Sequence, residues 1–486
     1  MSARQEVIDI PIIIRGRIIQ PGDDAITFGG RHGASFRQAD PRKFVRELSL
    51  ADASALRDLH DLPVEEIIAF LAKIGPRVTL DNPLMQKAFD LALEAGDMTE
   101  PVLRPIYEAF PYMFDADRLR QMIDAHVGIA YLDGWVEQGR PGQSATRIRA
   151  IGTRQLHIIA GNVPVTAGIT IQRGALTKGD TIIKTPSNDP FTAAALVQTM
   201  IEIDPDHPVT KHFSVAYWKG GDEEIEKQII QPSRLERVTA WGGMASMRHI
   251  QKYLVPGIEL IPANPKLSIS IIGHEALEDE GAMKRAAHGV ARMAGHMNQT
   301  ACASTRVVYV ECDDDDEDFD RLETFGRAIH QAFLDLPPEE STAPKAPNAE
   351  LESEMRALGM DREFYRIIGD SNSAGVIVSR TVEEPVEFSR ALNNRVVNLV
   401  PVPDITRVPR WVNEETQTVA IYPESLRERL RDDLALHGVQ RTLAVDRSTQ
   451  MNDLDPFELR RMPHDGIEPL RRAVRWVVDV STGLGA

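Results

Sequence analysis

Cysteine is scarce in this chain, with only Cys302 and Cys312 among 486 residues. Two cysteines so close in sequence cannot build a disulfide framework, and this usage is typical of a reducing compartment. Long apolar runs are also lacking, since residues 10–14 are too few to cross a bilayer and Arg15 ends them. The N-terminus lacks the pattern of a secretory signal. We therefore expect a cytoplasmic protein without a membrane span.

Positive charge is in deficit, with 55 Lys and Arg against 72 Asp and Glu, giving a formal net charge of −17. An acidic surface repels nucleic acid and anionic membranes, so neither is an expected partner. It leaves room for a local basic pocket that holds an anionic cofactor. An acidic run at 313–318 predicts a solvated loop rather than a metal site, and no metal is expected. The proline-rich stretch 336–347 predicts an exposed loop.

The common glycine motifs for phosphate binding are absent. No G-x-G-x-x-G follows a predicted strand, and there is no G-x-x-x-x-G-K-[ST] loop. An ordinary Rossmann dehydrogenase and a P-loop NTPase are therefore disfavoured.

The length and the 42% hydrophobic content favour two or three domains. Residues 1–40 predict short strands with glycine-rich turns, and 41–140 predict helices, one of them starting at Pro63. From 151 onward strands alternate with helices, which predicts a parallel sheet. The predicted strands are 156–160, 181–184, 212–218, 238–241 and 267–272. Small residues follow four of them, at the carboxyl ends where such sheets bind ligands.

Three segments resemble the aldehyde dehydrogenase superfamily. Residues 298–306, NQTACASTR, precede a predicted strand at 307–310 and resemble the nucleophile loop. Residues 160–164, AGNVP, resemble the loop after the first strand of the cofactor domain. Residues 182–192, IIKTPSNDPFT, resemble the strand, lysine and loop that hold the adenosine ribose.

The resemblance implies an α/β fold with two Rossmann-like domains, for cofactor and catalysis, plus a helical N-terminal region and a small oligomerisation arm. It implies that Cys302 is the covalent nucleophile. It also implies that Asn162 stabilises the oxyanion together with the Cys302 N–H. The cofactor-binding residues that it implies are Lys184, Ser187, Gly161, Gly220, Trp241, Gly242 and Gly243.

Two departures from the family pattern indicate the subclass. NAD-preferring members have a glutamate three residues after the lysine, whereas this chain has Ser187, which would not repel a 2′-phosphate. NADPH (NADP+) is therefore the predicted cofactor. Hydrolytic members carry a glutamate before a Gly-Gly-Lys, and with Lys266 as the anchor that position is Pro262. Without a base for water, a thioester on Cys302 accepts a hydride or exchanges with coenzyme A.

Further segments resemble LuxC-like long-chain acyl-CoA reductases: VTAWGG at 238–243, LNNRVVNLVPV at 392–402, and PHDG at 463–466 with Arg475 and Trp476. This predicts NADPH-dependent reduction of an acyl-CoA to the aldehyde through an acyl-cysteine, with coenzyme A as co-product. A homo-oligomer and an acyl-transferring enzyme partner are also implied. The predicted segments are an N-terminal region (1–145), an NADP-binding domain (146–273), a catalytic domain (274–430) and a C-terminal return with an oligomerisation segment (431–486).

Alternatives stay open at this point. A hydrolytic NAD(P)-dependent aldehyde dehydrogenase would use Glu259, the nearest carboxylate, as its base. A reductase of acyl phosphates and a non-catalytic subunit of a multi-enzyme complex are the others. The base that activates Cys302 is unassigned among His296, His274 and His464.

Overall fold

The computed structural model describes residues 7–30, 34–138, 145–445 and 463–481. Its strands are β1 (Ile8–Asp9), β2 (Ile12–Ile14), β3 (Arg17–Ile19), β4 (Ile26–Gly29), β5 (Ser35–Gln38), β6 (Val136–Gln138), β7 (Ala145–Ile151), β8 (Arg154–Ile158), β9 (Asp180–Lys184), β10 (Phe213–Ala216), β11 (Arg237–Trp241), β12 (Glu259–Ala263), β13 (Leu267–Ile272), β14 (Thr305–Glu311), β15 (Tyr365–Gly369), β16 (Gly375–Ser379), β17 (Val396–Val402), β18 (Thr416–Tyr422), β19 (Arg441–Ala444) and β20 (Arg475–Ser481).

Its helices are α1 (Val45–Leu48), α2 (Arg57–Asp61), α3 (Val64–Ala72), α4 (Pro83–Ala95), α5 (Glu100–Glu108), α6 (Phe110–Met113), α7 (Ala116–His126), α8 (Ile129–Asp133), α9 (Val165–Leu176), α10 (Thr192–Ile203), α11 (Pro208–Lys211), α12 (Glu223–Ile229), α13 (Met244–Gln251), α14 (Glu275–Glu278), α15 (Glu280–Gly295), α16 (Asp316–Leu334), α17 (Ala349–Leu358), α18 (Glu424–Leu436) and α19 (Pro469–Ala473). Short 3₁₀ helices include His296–Gln299 and Ile405–Trp411. No helix among the described residues is long and apolar enough to cross a membrane.

The chain packs into two compact units. Unit 1 comprises Met1–Gly96, Ile106–Asn264 and Phe457–Ala486, and unit 2 comprises Asp97–Pro105 and Pro265–Pro456. This division differs from the four predicted segments, because both ends of the chain pair with strands of unit 1. Strand β2 joins β10, and β20 joins β7. Of the segment predicted to start at 431, residues 446–462 and 482–486 lie outside the described ranges.

The main sheet of unit 1 has seven strands in the order β12-β11-β8-β9-β10-β2-β3. The five from β12 to β10 run parallel, as the alternation of strands and helices predicts, while β2 is antiparallel to β10. Buried residues of α12 and α13, including Ile225 and Ile250, pack with Leu156 and Val238 of the sheet. Two smaller sheets, β1-β5-β4 and β20-β7-β6, complete the unit.

The sheet of unit 2 has the order β15-β16-β17-β14-β13-β18-β19, and only its edge strand β15 is antiparallel to its neighbour. Side chains alternate between its two faces, so both faces are apolar. On β14, Val308 and Val310 pack with α15 and α16, and Val307 packs on the other face with α18. Burying such a side chain contributes about 1.5–3 kcal/mol.

The acidic run at 313–318 is only partly a loop, which corrects the expectation from sequence. Asp315 caps α16 by accepting the Asp318 backbone N–H, and Asp316–Asp318 form the first helical turn. Carboxylates there satisfy amide groups and oppose the positive end of the helix dipole. The stretch 336–347 is a loop, as predicted.

A buried network of ionised groups joins the amino ends of β9 and β10. Asp180 accepts hydrogen bonds from Arg15 and from His212 Nδ1, the latter at 3.0 Å. His212 Nε2 lies 2.9 Å from Asp58 Oδ1 on α2. Burial lowers the pKa of His212, but hydrogen bonds to Asp180 and Asp58 outweigh it, so the net pKa shift is upward. The network therefore ties α2 and the turn at Arg15 to the sheet.

Replacing His212 by Gln should lower the melting temperature, because breaking a buried ion pair costs about 3–5 kcal/mol. The raised pKa means that this stabilisation is complete below pH 6.5 and is lost as pH rises through the raised value. The difference in melting temperature between wild type and His212→Gln should therefore shrink from pH 6 to pH 9 in a fluorimetric scan. The exposed His437→Gln is the control. A difference independent of pH would contradict the assignment.

Candidate active site

The cofactor residues predicted from sequence lie at one edge of the unit 1 sheet. Gly161 follows β8, Ser187 follows β9, Gly220 follows β10, and Gly242 follows Trp241, the last residue of β11. Since these strands are parallel neighbours, their carboxyl ends share an edge. Gly243 lies there too, immediately before α13. The fold thus brings the predicted residues to the ligand-binding edge of a parallel sheet.

Lys184 ends β9 and is a buried cation. Its Nζ lies 5.6 Å from the ring centroids of both Tyr217 and Trp218. Burial lowers the pKa of Lys184 to about 8, although Glu226 opposes the shift. Among the described residues no carboxylate forms an ion pair with it. The indole Nε1 of Trp218 is also buried without a hydrogen-bond partner there. Together these groups would suit an anion.

The turn after β9 is locked against the turn after β8. Asn188 Nδ2 donates to the Gly161 carbonyl at 2.9 Å. A Cβ on Gly161 would lie 1.9 Å from Asn188 Oδ1, so only glycine fits. Burial raises the pKa of Tyr217, and a hydrogen bond with Ser187 works against that rise. The hydroxyl of Ser187 therefore lies beside Tyr217, which is also an aromatic neighbour of Lys184.

Asn162 and Trp241 also lie at this edge. Asn162 is exposed in the turn between β8 and α9. The Trp241 ring centroid lies 5.7 Å from the Arg173 guanidinium and 5.2 Å from the His464 ring. Its Nε1 is a second buried indole donor without a partner among the described residues. His464 thus packs on Trp241.

In unit 2, the turn that carries Cys302 has a left-handed backbone. Met297, Asn298 and Gln299 have φ of 51°, 53° and 61°. Asn298 Oδ1 accepts from the Thr342 N–H at 2.8 Å, and its amide donates to Thr342 Oγ1. Gln299 Nε2 donates to the carbonyls of Thr305 and Val396, each at 2.9 Å, and its Oε1 accepts from Val396 N–H. These side chains fix the turn and leave Cys302 exposed.

Cys302 is anchored to the amino edge of the unit 2 sheet. Ser268 Oγ, on β13, donates to the Cys302 carbonyl at 2.8 Å. Gln417 Nε2, on β18, lies 3.1 Å from Cys302 Sγ. The other thiol, Cys312, is buried, and burial raises its pKa to about 12. Cys302 is therefore the accessible thiol of the chain.

Of the histidines considered as bases, His274 lies far from Cys302. His274 follows β13 at its carboxyl end, about 20 Å along the strand from Ser268. It pairs there with Glu311 at 3.2 Å and with Glu275 at 3.7 Å. Ligand atoms of these three residues lie within 4.8 Å of one another, and the ion pairs account for the cluster. Burial lowers the pKa of His296.

Glu259 lies at the edge of the unit 1 sheet that is opposite the predicted cofactor residues. It is the first residue of β12 and pairs in register with Arg237, at the amino edge of the unit 1 sheet. The predicted cofactor residues lie at the opposite, carboxyl edge. Its carboxylate is held by Arg472 at 2.8 Å and Arg237 at 3.3 Å. Although Glu259 is close to Pro262 in sequence, strand β12 places the two residues toward its opposite ends.

Comparison with known proteins decides the family. The family model for LuxC, acyl-CoA reductase, matches residues 59–476. The chain belongs to the LuxC family. It is 30% identical over 440 residues to the long-chain acyl-protein thioester reductase of Aliivibrio fischeri, covering 89% of this chain and 86% of that one. The LuxC resemblance predicted from sequence is confirmed, and with it an oxidoreductase that reduces acyl thioesters.

Solved structures confirm the aldehyde dehydrogenase-like α/β fold of this LuxC-family chain. Lactaldehyde dehydrogenase from Escherichia coli matches with a TM-score of 0.70 and 17% identity, over 98% of this chain and 100% of that one. The NADP-dependent glyceraldehyde-3-phosphate dehydrogenase from Bacillus halodurans C-125, complexed with NADP, matches with a TM-score of 0.71 and 14% identity, over 98% and 99%.

Several residues around Cys302 of the LuxC-family chain were not singled out from sequence. They are Ser268, Gln299 and Gln417. These polar side chains are buried, with exposures of 0%, 1% and 3%. Buried polar side chains need partners, and a glutamine in the apolar strand TQTVAIY is the signal that was available. Their partners became evident only from the packing of β13, β14 and β18.

Replacing Gln299 by Glu in this LuxC-family chain should destabilise unit 2. The carboxylate would face the carbonyls of Thr305 and Val396 instead of donating to them. Each unsatisfied buried polar group costs about 1–3 kcal/mol, so the melting temperature should fall by at least about 5 °C. Differential scanning calorimetry measures this. The exposed Gln231→Glu is the matched control, and equal melting temperatures for the two variants would contradict the role given to Gln299.

Proposed function

We propose that this LuxC-family chain reduces a long-chain acyl-CoA to the aldehyde with NADPH, through an acyl thioester on Cys302. The exposed Cys302 thiol, held on a fixed turn, is the observation that carries the proposal. The name of the Aliivibrio fischeri relative, a long-chain acyl-protein thioester reductase, supports a long-chain acyl thioester as the substrate class. It also favours a second carrier, an acylated protein.

In the proposed reaction the Cys302 sulfur attacks the acyl carbonyl carbon. The carbonyl electrons move to oxygen, where the Cys302 N–H donates, and the resemblance assigns Asn162 as the second donor. The C–S bond to coenzyme A then breaks, and coenzyme A leaves as the thiolate. Losing one oxyanion donor raises the barrier by about 2.7–4 kcal/mol. Asn162→Ala should therefore lower kcat about 100–1000-fold.

NADPH, when bound, supplies the hydride that converts the acyl carbonyl to the aldehyde level. The residues of unit 1 fit this cofactor. Lys184 offers a positive charge with no carboxylate partner among the described residues, and Ser187 offers a hydroxyl where a glutamate would repel the 2′-phosphate. After hydride addition, the C–S bond to Cys302 breaks, the aldehyde leaves, and Cys302 returns as thiolate.

Purified protein should oxidise NADPH in the presence of a long-chain acyl-CoA and release an aldehyde that a hydrazine reagent traps. Cys302→Ser should reduce this rate to background, because serine is a far weaker nucleophile at neutral pH. Cys312→Ala, a change in the core away from the site, is the control and should keep the activity. Oxidation of free aldehyde to the acid with NAD(P)+ and no coenzyme A would instead support the hydrolytic alternative.

Ser187→Glu should reverse the cofactor preference. A carboxylate beside the 2′-phosphate costs several kcal/mol, so kcat/KM for NADPH should fall about 100-fold relative to that for NADH. Ser187→Ala, which removes the hydroxyl without adding charge, should change the ratio far less. Steady-state kinetics with both cofactors measures this, and an unchanged ratio in Ser187→Glu would rule out the proposed ribose site.

The acyl carrier and the assembly are further parts of the proposal. Supplying the same acyl chain on coenzyme A and on an acylated carrier protein separates the two carriers by kcat/KM. The predicted homo-oligomer and acyl-transferring partner are tested by light scattering of the chain alone and with such a protein. A monomer with equal kinetics on both carriers would remove this part of the proposal.

A further inference from the structure

Strand β13 carries two register shifts at its amino end, next to the anchor of Cys302. On one side Ser268 pairs with Thr305 and Ile269 with Val307, so Arg306 of β14 is an extra residue. A β-bulge of this kind breaks the alternation of side chains and re-aims one of them. Bulges are rare between parallel strands and are enriched beside active sites.

The second shift lies on the other side of the same strand. Leu267 pairs with Thr416 and Ser268 with Thr418, so Gln417 of β18 is the extra residue. Its side chain is buried, and its Nε2 lies 3.1 Å from Cys302 Sγ. Ser268, between the two shifts, holds the Cys302 carbonyl. Both extra residues therefore flank the strand that supports Cys302.

Arg306 brings a fixed positive charge to this edge. Its Nε donates to the Leu392 carbonyl at 3.0 Å, and its Nη1 lies 3.4 Å from the Ser304 carbonyl. Burial lowers the pKa of Arg306, and the charge of Cys302 opposes that shift. The contact of Nη1 with the Ser304 carbonyl places the guanidinium at the turn, two residues after Cys302. Arginine keeps its proton in proteins, so its positive charge persists at every working pH.

We propose that Gln417 and Arg306 hold Cys302 as a thiolate, so that no general base is needed to activate it. This deepens the proposed function and rests on it for the role of Cys302 as nucleophile. An N–H donor and a cation both favour the charged form of a thiol. The thiol proton passes to solvent, since Cys302 is exposed, and the sulfur keeps the electron pair that later attacks the carbonyl carbon.

Other charged groups on the neighbouring elements are engaged elsewhere. Lys266, before β13, donates to the Glu414 carbonyl, and Glu415, before β18, pairs with Arg390. His296, on the turn that precedes Cys302, has its pKa lowered by burial. The amide of Gln417 and the guanidinium of Arg306 are the donor and the cation that the proposal places at the sulfur.

The test is the pH dependence of Cys302 alkylation by iodoacetamide, followed by mass spectrometry of the Cys302 peptide. In Gln417→Met, which keeps the length but removes the donor, the midpoint of the profile should rise by about one pH unit. Gln417→Glu should raise it further by adding a negative charge. Arg306→Met should raise it, and Arg306→Lys should restore most of the shift. The exposed Gln331→Met is the control.

At pH 7 a rise of one unit should slow alkylation only about threefold, because a more basic thiolate is also the stronger nucleophile. The order Glu, Met, Gln at 417 is a readout that a merely structural glutamine would not produce. An unchanged midpoint in Gln417→Met and Arg306→Met would overturn the proposal. A lower midpoint in Gln417→Met would also overturn it, since the amide oxygen would then be accepting the thiol proton.

The two Arg306 variants provide a second test in case Gln417→Met does not fold. A circular dichroism melt shows which variants are folded. If Gln417→Met is unstable, the alkylation midpoints of folded Arg306→Lys and Arg306→Met still test the proposal. The assay contains no acyl substrate and no cofactor. A shifted midpoint without any NADPH-dependent turnover would therefore reject the proposed function alone, whereas turnover with unshifted midpoints would reject the thiolate proposal alone.

Discussion

Strand direction is the constraint on which the chemistry of both units depends. In a parallel sheet all carboxyl ends share one edge and all amino ends the other, so a residue's place before or after its strand decides its neighbours. In unit 1 the turns after β8, β9, β10 and β11 meet at the carboxyl edge. In unit 2 Cys302 precedes β14 and is anchored by Ser268 at the amino edge. The same rule separates His274 from Cys302.

Side-chain hydrogen bonds maintain the strained shape of the turn before Cys302. A left-handed backbone costs about 1–2 kcal/mol per non-glycine residue, and three such residues occur in succession. Asn298 and Gln299 together make hydrogen bonds to Ser341, Thr342, Thr305 and Val396. At about 1 kcal/mol each, these bonds offset the strain. Side chains of the residues that precede Cys302, the proposed nucleophile, thus hold its turn in place.

The sequence predicted those features of the fold that depend on residues close together in the chain. Alternating strands and helices, the small residues after each strand, and the exposure of Cys302 follow from periodicity and motif, and the fold agrees with them. Glu259, kept open as the base of the hydrolytic alternative, is the first residue of β12, and only the strand direction shows that it lies at the amino edge. The roles of Arg306 and Gln417 depend on register shifts between strands that are far apart in sequence, and nothing in either segment alone encodes that pairing. Helix capping likewise turned part of the acidic run into a helix start.

The choice of activating groups bears on the fate of the acyl thioester. A carboxylate that accepts a proton from the thiol can equally accept one from water, and so promotes hydrolysis of the acyl-enzyme. A guanidinium and a glutamine amide stabilise a thiolate, but neither is basic enough to take a proton from water at neutral pH. The sequence resemblance predicts Pro262 at the position of the hydrolytic glutamate, and the proposed activation of Cys302 by Arg306 and Gln417 would then leave the thioester intact. In the proposed reaction the acyl group would remain on sulfur until a hydride or another thiol reaches its carbonyl carbon.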